Sequence, residues 1–144
     1  MKIIFLDIEG VLNSKSYLNT SYLIPFDPKC LENLQKLVKE TNAKIVVSST
    51  WRKSETGRKQ LLAILKEYDL ANVVVGCTPI LDTREKEIDA YLQLTEQLDA
   101  FVILDDMKID NYLPYQVQTD RITGLTEEDV IKAIKILLET KEQF

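Results

Sequence analysis

Asp7 and Glu9 stand two residues apart, directly after the apolar run at residues 3–6. On an extended segment this spacing turns both carboxylates to the same side. A second acidic pair, Asp105 and Asp106, ends the apolar run at residues 101–104. Four acids converging at strand ends repel one another and drive some of their pKa values up, and a bound hard cation relieves this. Mg²⁺ suits such a site, because it takes a few carboxylates together with water and phosphate oxygens. Ser48, Ser49 and Thr50 follow a third run, residues 45–47. They offer hydroxyl and backbone N–H donors near a helix start, which suits a phosphate group. Arg84 and Lys86 open a later helix and are candidates to neutralise charge on a transferring group. Two residues apart on a helix, they cannot both face one point. The chemistry predicted is metal-assisted phosphoryl transfer. A single Asp after a strand is more often a turn residue, and a Ser-Ser-Thr run alone is ordinary helix capping; the reading rests on their combination.

The elements that must position these groups are legible in the hydrophobic pattern. Residues 3–6, 45–47, 73–75 and 101–104 are short, nearly continuous apolar runs, the pattern of strands buried on both faces of a parallel sheet. Residues 115–119 alternate and read as a half-exposed edge strand. Helical periodicity fills the intervals. Leu31, Leu34, Leu37 and Val38 follow the Asp27-Pro28 pair, a good N-cap and first helical residue. Leu61, Ile64, Leu65 and Tyr68 share a second face; Ile88, Tyr91, Leu92 and Thr95 a third. Val130, Ala133, Ile134, Leu137 and Leu138 form the last, with Thr126 and Asp129 at capping-box spacing before it. Alternation of this kind predicts an α/β fold with right-handed crossovers and a helix-covered parallel sheet. In such sheets ligands bind beyond the carboxyl ends of the strands, where the polar residues above lie. Residues 13–26 are too short for an inserted cap domain and fit a small hairpin or flap.

Composition narrows the chemistry. The chain has 144 residues, the length of a single domain over 1–144. It contains no histidine, which removes Ser-His-Asp and Cys-His hydrolases and most His-ligated zinc sites. Acid–base work therefore falls to carboxylates, Lys, Tyr or Cys. Two cysteines, Cys30 and Cys77, are too few for a disulfide framework. The 18 basic and 23 acidic residues give a net charge of −5, so an extended nucleic-acid footprint is not expected. Lys15, Arg52, Lys53, Arg58 and Lys59 are read as making the site mouth locally positive. No apolar run approaches the ~20 residues of a membrane span. The N-terminal segment reaches Asp7 too soon for a signal peptide. The expected location is cytoplasmic, with no membrane partner.

The segment Leu6-Asp7-Ile8-Glu9-Gly10-Val11-Leu12-Asn13 resembles the first motif of the haloacid dehalogenase (HAD) superfamily, which runs Asp-x-Asp after the first strand. Ser48 at a strand end, a basic residue at a later helix start, and the acidic pair in Ile103-Leu104-Asp105-Asp106 are similar to its other three motifs, in the same chain order. More closely, Val47-Ser48-Ser49-Thr50-Trp51-Arg52, Arg84-Glu85-Lys86-Glu87-Ile88 and the segment from Val117 through Thr126 resemble small, capless members of the Swiss Army knife RNA repair type.

The resemblance implies a three-layer Rossmann-like sheet of about five strands in the order 3-2-1-4-5, without a cap. It also implies a Mg²⁺-dependent phosphatase of phosphomonoesters. Asp7 would be the nucleophile, forming an aspartyl-phosphate. Glu9 would protonate the leaving group and then activate water. The metal would be held by Asp7, the main-chain carbonyl of Glu9, Asp105 and Asp106. Ser48, with Ser49 as alternate, would hold a phosphate oxygen, and Arg84 aligns with the basic motif better than Lys86. An open, capless site favours a phosphorylated end group on a macromolecule, such as a polynucleotide terminus, or a nucleotide.

The family usually carries Asp where this chain has Glu9, one methylene longer, and Gly10 beside it lets the backbone adjust. That departure implies a second reading, a catalytically weak or silent interaction domain of the same fold. A signalling receiver is a third, but there the acidic pair follows the first strand, and here it follows the fourth. Trp51 is read as packing at the sheet end rather than stacking on a base. Cys77 is read as a strand-end core residue, and residues 141–144 as a frayed tail.

Overall fold

A computed structural model describes residues 1–18 and 25–139. Five parallel strands form one sheet: β1 (Lys2–Leu6), β2 (Lys44–Val47), β3 (Val74–Cys77), β4 (Ala100–Asp105) and β5 (Gln116–Gln118). Their order is β3-β2-β1-β4-β5, as the family resemblance implies. The helices are α1 (Lys15–Leu18), α2 (Pro28–Thr41), α3 (Glu55–Glu67), α4 (Arg84–Leu94) and α5 (Glu127–Glu139). Three 3-10 segments, Thr50–Lys53, Ala71–Val73 and Asp110–Tyr115, complete the chain. No helix among the described residues is long and apolar enough to cross a membrane.

Both faces of the sheet are covered. Ile4, Leu6, Ile45, Val47, Val102 and Leu104 point into a core shared with α2, α3 and α5. Ile3, Phe5, Val46 and Ile103 point the other way, against Ile88 of α4 and Ile109. Strand alternation thus divides consecutive residues between two layers, and right-handed crossovers place α4 alone opposite the other long helices. Local caps set the helix starts. Asp27 accepts from the Lys29 N–H ahead of Pro28. Thr126 and Asp129 exchange backbone–side-chain bonds of 3.0 and 3.2 Å, closing the capping box before α5.

Several expectations need correction. β3 is not buried on both faces: its residues alternate between half-buried and exposed, and Val75 is 47 % exposed. The strand order puts it at the sheet edge with β2 as its one partner, a position a contiguous apolar run does not disclose. For the same reason Cys77 is exposed, not a core residue. Tyr115 belongs to the preceding 3-10 segment, and the edge strand β5 starts at Gln116. α4 ends at Leu94, leaving Thr95 as its C-cap, and Leu138 turns out of the buried face of α5. The hairpin or flap expected over 13–26 meets the one-turn helix α1 in its first part; residues 19–24 lie outside the described residues, as does the tail at 141–144.

Candidate active site

Ladder hydrogen bonding runs one residue past the ends of the central strands. Asp7 N–H donates to the Leu104 carbonyl at 3.0 Å, Ser48 N–H to Leu6 at 2.9 Å, and Thr78 N–H to Val47 at 3.0 Å. Thr78, Ser48, Asp7 and Asp105 therefore lie side by side across the carboxyl edge of the sheet. Each follows a residue aimed at the α2–α3–α5 core, except Cys77 at the edge, so strand alternation turns the row toward α4. The position is also a topological switch point, because the chain leaves β1 toward β2 and later returns to pair β4 on its other side.

The row is almost dry. Asp7 is 5 % exposed and Asp105 1 %. One carboxylate oxygen each from Asp7, Asp105 and Asp106 lies within 4.8 Å of the others. Burial, followed by the charge of Asp105, pushes the Asp7 carboxyl from its ordinary 3.8 up to about 7, against the opposing pull of Arg84. Burial likewise raises Asp105, again with Arg84 opposing. One cation does not neutralise this cluster. A hard divalent ion fits the all-oxygen donor set.

Arg84 stands at the first turn of α4, where Thr83 caps the helix by accepting from the Lys86 N–H. Its Nη1 lies 2.5 Å from Asp105 Oδ2 and 3.6 Å from Asp7 Oδ1. Lys86 points away and pairs with Asp82 at the surface. The geometry thus separates the two basic candidates. Arg84→Ala is expected to lower kcat/KM on a phosphomonoester by about 10²- to 10³-fold, the scale of a lost transition-state charge contact. Lys86→Ala should stay near wild type; equal small effects in parallel assays would put the basic motif elsewhere.

Two residues not singled out as site residues hold Arg84 in place. Glu87, one turn on, has Oε1 3.6 Å from Arg84 Nε and Oε2 2.5 Å from Arg52 Nη2. Arg52, expected at a positive site mouth, is instead 3 % exposed. Three further donors reach the carbonyls of Thr78, Ser49 and Pro79. A guanidinium with four of its five N–H donors committed to protein partners is a staple between loops, not a surface charge. Lys59 stays at the surface, in an exposed i, i+4 pair with Glu55. The helical i, i+3 spacing of Arg84 and Glu87 was the available signal for Glu87.

Ser48 and Ser49 are both fully buried but differ in engagement. Ser49 Oγ accepts from the Trp51 N–H and caps the 3-10 turn at Thr50–Lys53. Ser48 Oγ and Thr78 Oγ1 are the two buried side-chain polar atoms without a hydrogen-bond partner among the described residues. A buried unpaired hydroxyl costs about 1–3 kcal/mol, a cost that a bound oxyanion beside Asp7 would remove. Thr78 follows the third strand as Ser48 follows the second, so the strand-end rule extends to it as well.

Glu9 is not part of the acid cluster. Its side chain is exposed, with Oε1 accepting from Trp51 Nε1 at 2.8 Å and Oε2 from Asn13 Nδ2 at 2.9 Å. Trp51 packs against buried Phe26 with ring centroids 5.2 Å apart, so it does pack at the sheet end. Between Glu9 and the cluster sits Gly10, at φ +75°; a Cβ there would come 2.6 Å from Asp106 Oδ2, so this turn needs glycine on both counts.

The raised Asp7 carboxyl has a consequence for the metal-free chain. Where the folded pKa lies above the unfolded one, the folded state holds a proton the unfolded state has lost. The stabilisation is fully present below about pH 4 and is lost as pH rises toward 7. Tm is expected to fall across that window without added metal, and to fall less in Asp7→Asn. Identical pH profiles for the two proteins would show that Asp7 does not titrate there.

A protein-family model described as the HAD domain in Swiss Army Knife RNA repair proteins matches residues 3–130. No curated protein and no solved structure gives a significant match.

Proposed function

Because the chain belongs to the family of HAD domains in Swiss Army Knife RNA repair proteins, we propose that it is a Mg²⁺-dependent phosphatase of phosphomonoesters. The observation that carries this reading is the meeting of Asp7, Asp105, Asp106 and Arg84 at the carboxyl ends of β1 and β4.

Asp7, Asp105 and Asp106, with the main-chain carbonyl of Glu9, would hold the ion. Once bound, it offsets the crowded negative charge and withdraws charge from the phosphate oxygens. Ser48 Oγ, with Ser49 as the alternate, and Arg84 hold the phosphoryl group against Asp7. An Asp7 carboxylate oxygen forms a bond to phosphorus as the bond to the leaving oxygen breaks, and Glu9 gives that oxygen its proton. A water then attacks phosphorus and loses a proton to Glu9. The bond from phosphorus to Asp7 breaks, releasing inorganic phosphate and restoring both carboxyl groups. The sum is one ester and one water giving one alcohol and one phosphate.

With no cap domain among the described residues, the substrate class on this reading is an accessible phosphate, such as a nucleotide or a polynucleotide end. The chain acts in the cytoplasm and as a single domain on this reading. A phosphate-release screen across nucleotides, sugar phosphates and 3′- and 5′-phosphorylated oligonucleotides, with Mg²⁺ and with chelator, tests it. Mg²⁺-dependent turnover is expected. No release from any substrate would favour a silent interaction domain, the reading that Glu9 in place of Asp also motivates.

A further inference from the structure

We propose that Trp51 and Asn13 are positioning residues that fix the Glu9 carboxylate for its proton transfers, and that the glutamate arm is matched in length to the indole it reaches. The role rests on the phosphatase reading above; the hydrogen bonds do not.

An exposed glutamate ordinarily keeps much of its rotamer freedom, and ordering it costs conformational entropy. Here both carboxylate oxygens are held, one by Trp51 Nε1 at 2.8 Å and one by Asn13 Nδ2 at 2.9 Å. Both donors are anchored by contacts of their own. Trp51 lies in a 3-10 turn capped by Ser49 and followed by Arg52, whose guanidinium is bonded to three carbonyls and Glu87. Its ring rests on Phe26, which is fully buried. Asn13 is 6 % exposed, and its Oδ1 accepts from the Gly10 N–H at 2.9 Å, which orients the amide so that Nδ2 faces Glu9.

The chemistry of the donors suits the task. An indole N–H and an amide N–H donate without titrating near neutral pH, so neither competes for the proton that Glu9 transfers. Each occupies one lone pair of one oxygen, leaving the other lone pair on each oxygen to take a proton. An aspartate here would draw the carboxylate back by about 1.5 Å, one carbon–carbon bond, beyond hydrogen-bond reach of the indole. A misplacement of about 1 Å can cost on the order of 10²-fold in rate.

Trp51 is the one tryptophan in the chain, so the protein has a single indole N–H resonance. In Glu9→Asp that resonance should move upfield while the backbone amide spectrum outside the site stays in place. An unmoved resonance would overturn the clamp, and this arm leaves Trp51 intact, so it does not depend on a tryptophan variant folding. Trp51→Phe should then lower kcat on an alkyl phosphate about ten- to a hundred-fold with KM within about twofold, and affect an aryl phosphate much less. In a Glu9→Asp background the same change should cost less than about twofold. A full, additive loss in that background would show that Trp51 acts by packing alone and overturn its positioning role. If the wild type has no turnover while the indole shift is seen, the phosphatase reading fails, and with it the positioning role, leaving a purely structural contact.

Discussion

Asp7→Asn is expected to reduce phosphomonoester turnover by on the order of 10⁴-fold or more, because it removes the nucleophile itself. The substitution is nearly isosteric. The position is buried at the end of the central strand, held by its backbone N–H to the Leu104 carbonyl at 3.0 Å, and neither feature depends on the charge. Burial and Asp105 already oppose ionisation of Asp7, so a neutral amide there should leave the metal-free chain at least as stable as wild type near pH 7. Activity and stability should therefore separate, with turnover lost and Tm held or raised. Rapid-quench analysis should show a phosphorylated protein in the wild type and none in the variant. Turnover near wild type in Asp7→Asn would eliminate the covalent route through this residue.

Glu9→Gln is expected to cost about 10²- to 10⁴-fold in kcat on an alkyl phosphate, the range of general acid–base catalysis. Its amide oxygen can accept from Trp51 or Asn13 but not from both, so the arm keeps one of its two bonds while the transferable proton is lost. Dependence on the leaving group tells this loss from a disturbed fold. Aryl phosphates leave without full protonation, so their first step should be much less affected. Metal affinity should stay unchanged, because the side chain lies outside the Asp7–Asp105–Asp106 cluster. Titrating Mg²⁺ into both proteins and following Tm checks that point separately from turnover. Undiminished kcat on the alkyl phosphate would remove Glu9 from the mechanism.

What the sequence by itself determined is local. Apolar runs ending in Asp7, Ser48 and Asp105 mark strands that close on polar residues, and the Asp27-Pro28 and Thr126–Asp129 caps mark helix starts within a few residues. Alternation of those elements carries the α/β class, because a parallel strand must be reached by a crossover. Contacts between distant residues were decided by the tertiary structure. β3 became an edge strand, exposing Val75 and Cys77, because the chain returned from it to the far side of β1. Arg52 reads as a surface cation in a polar stretch, yet the approach of Thr78, Pro79 and Glu87 gives its donors buried partners. The rotation of α4 about its axis sent Arg84 to the acids and Lys86 to Asp82. Glu9 and Trp51, 42 residues apart, meet only once β2 has docked beside β1. Periodicity and capping record what a residue does to its neighbours in the chain, whereas a side chain's partners across the sheet edge depend on strand order and register, which no short window of sequence contains.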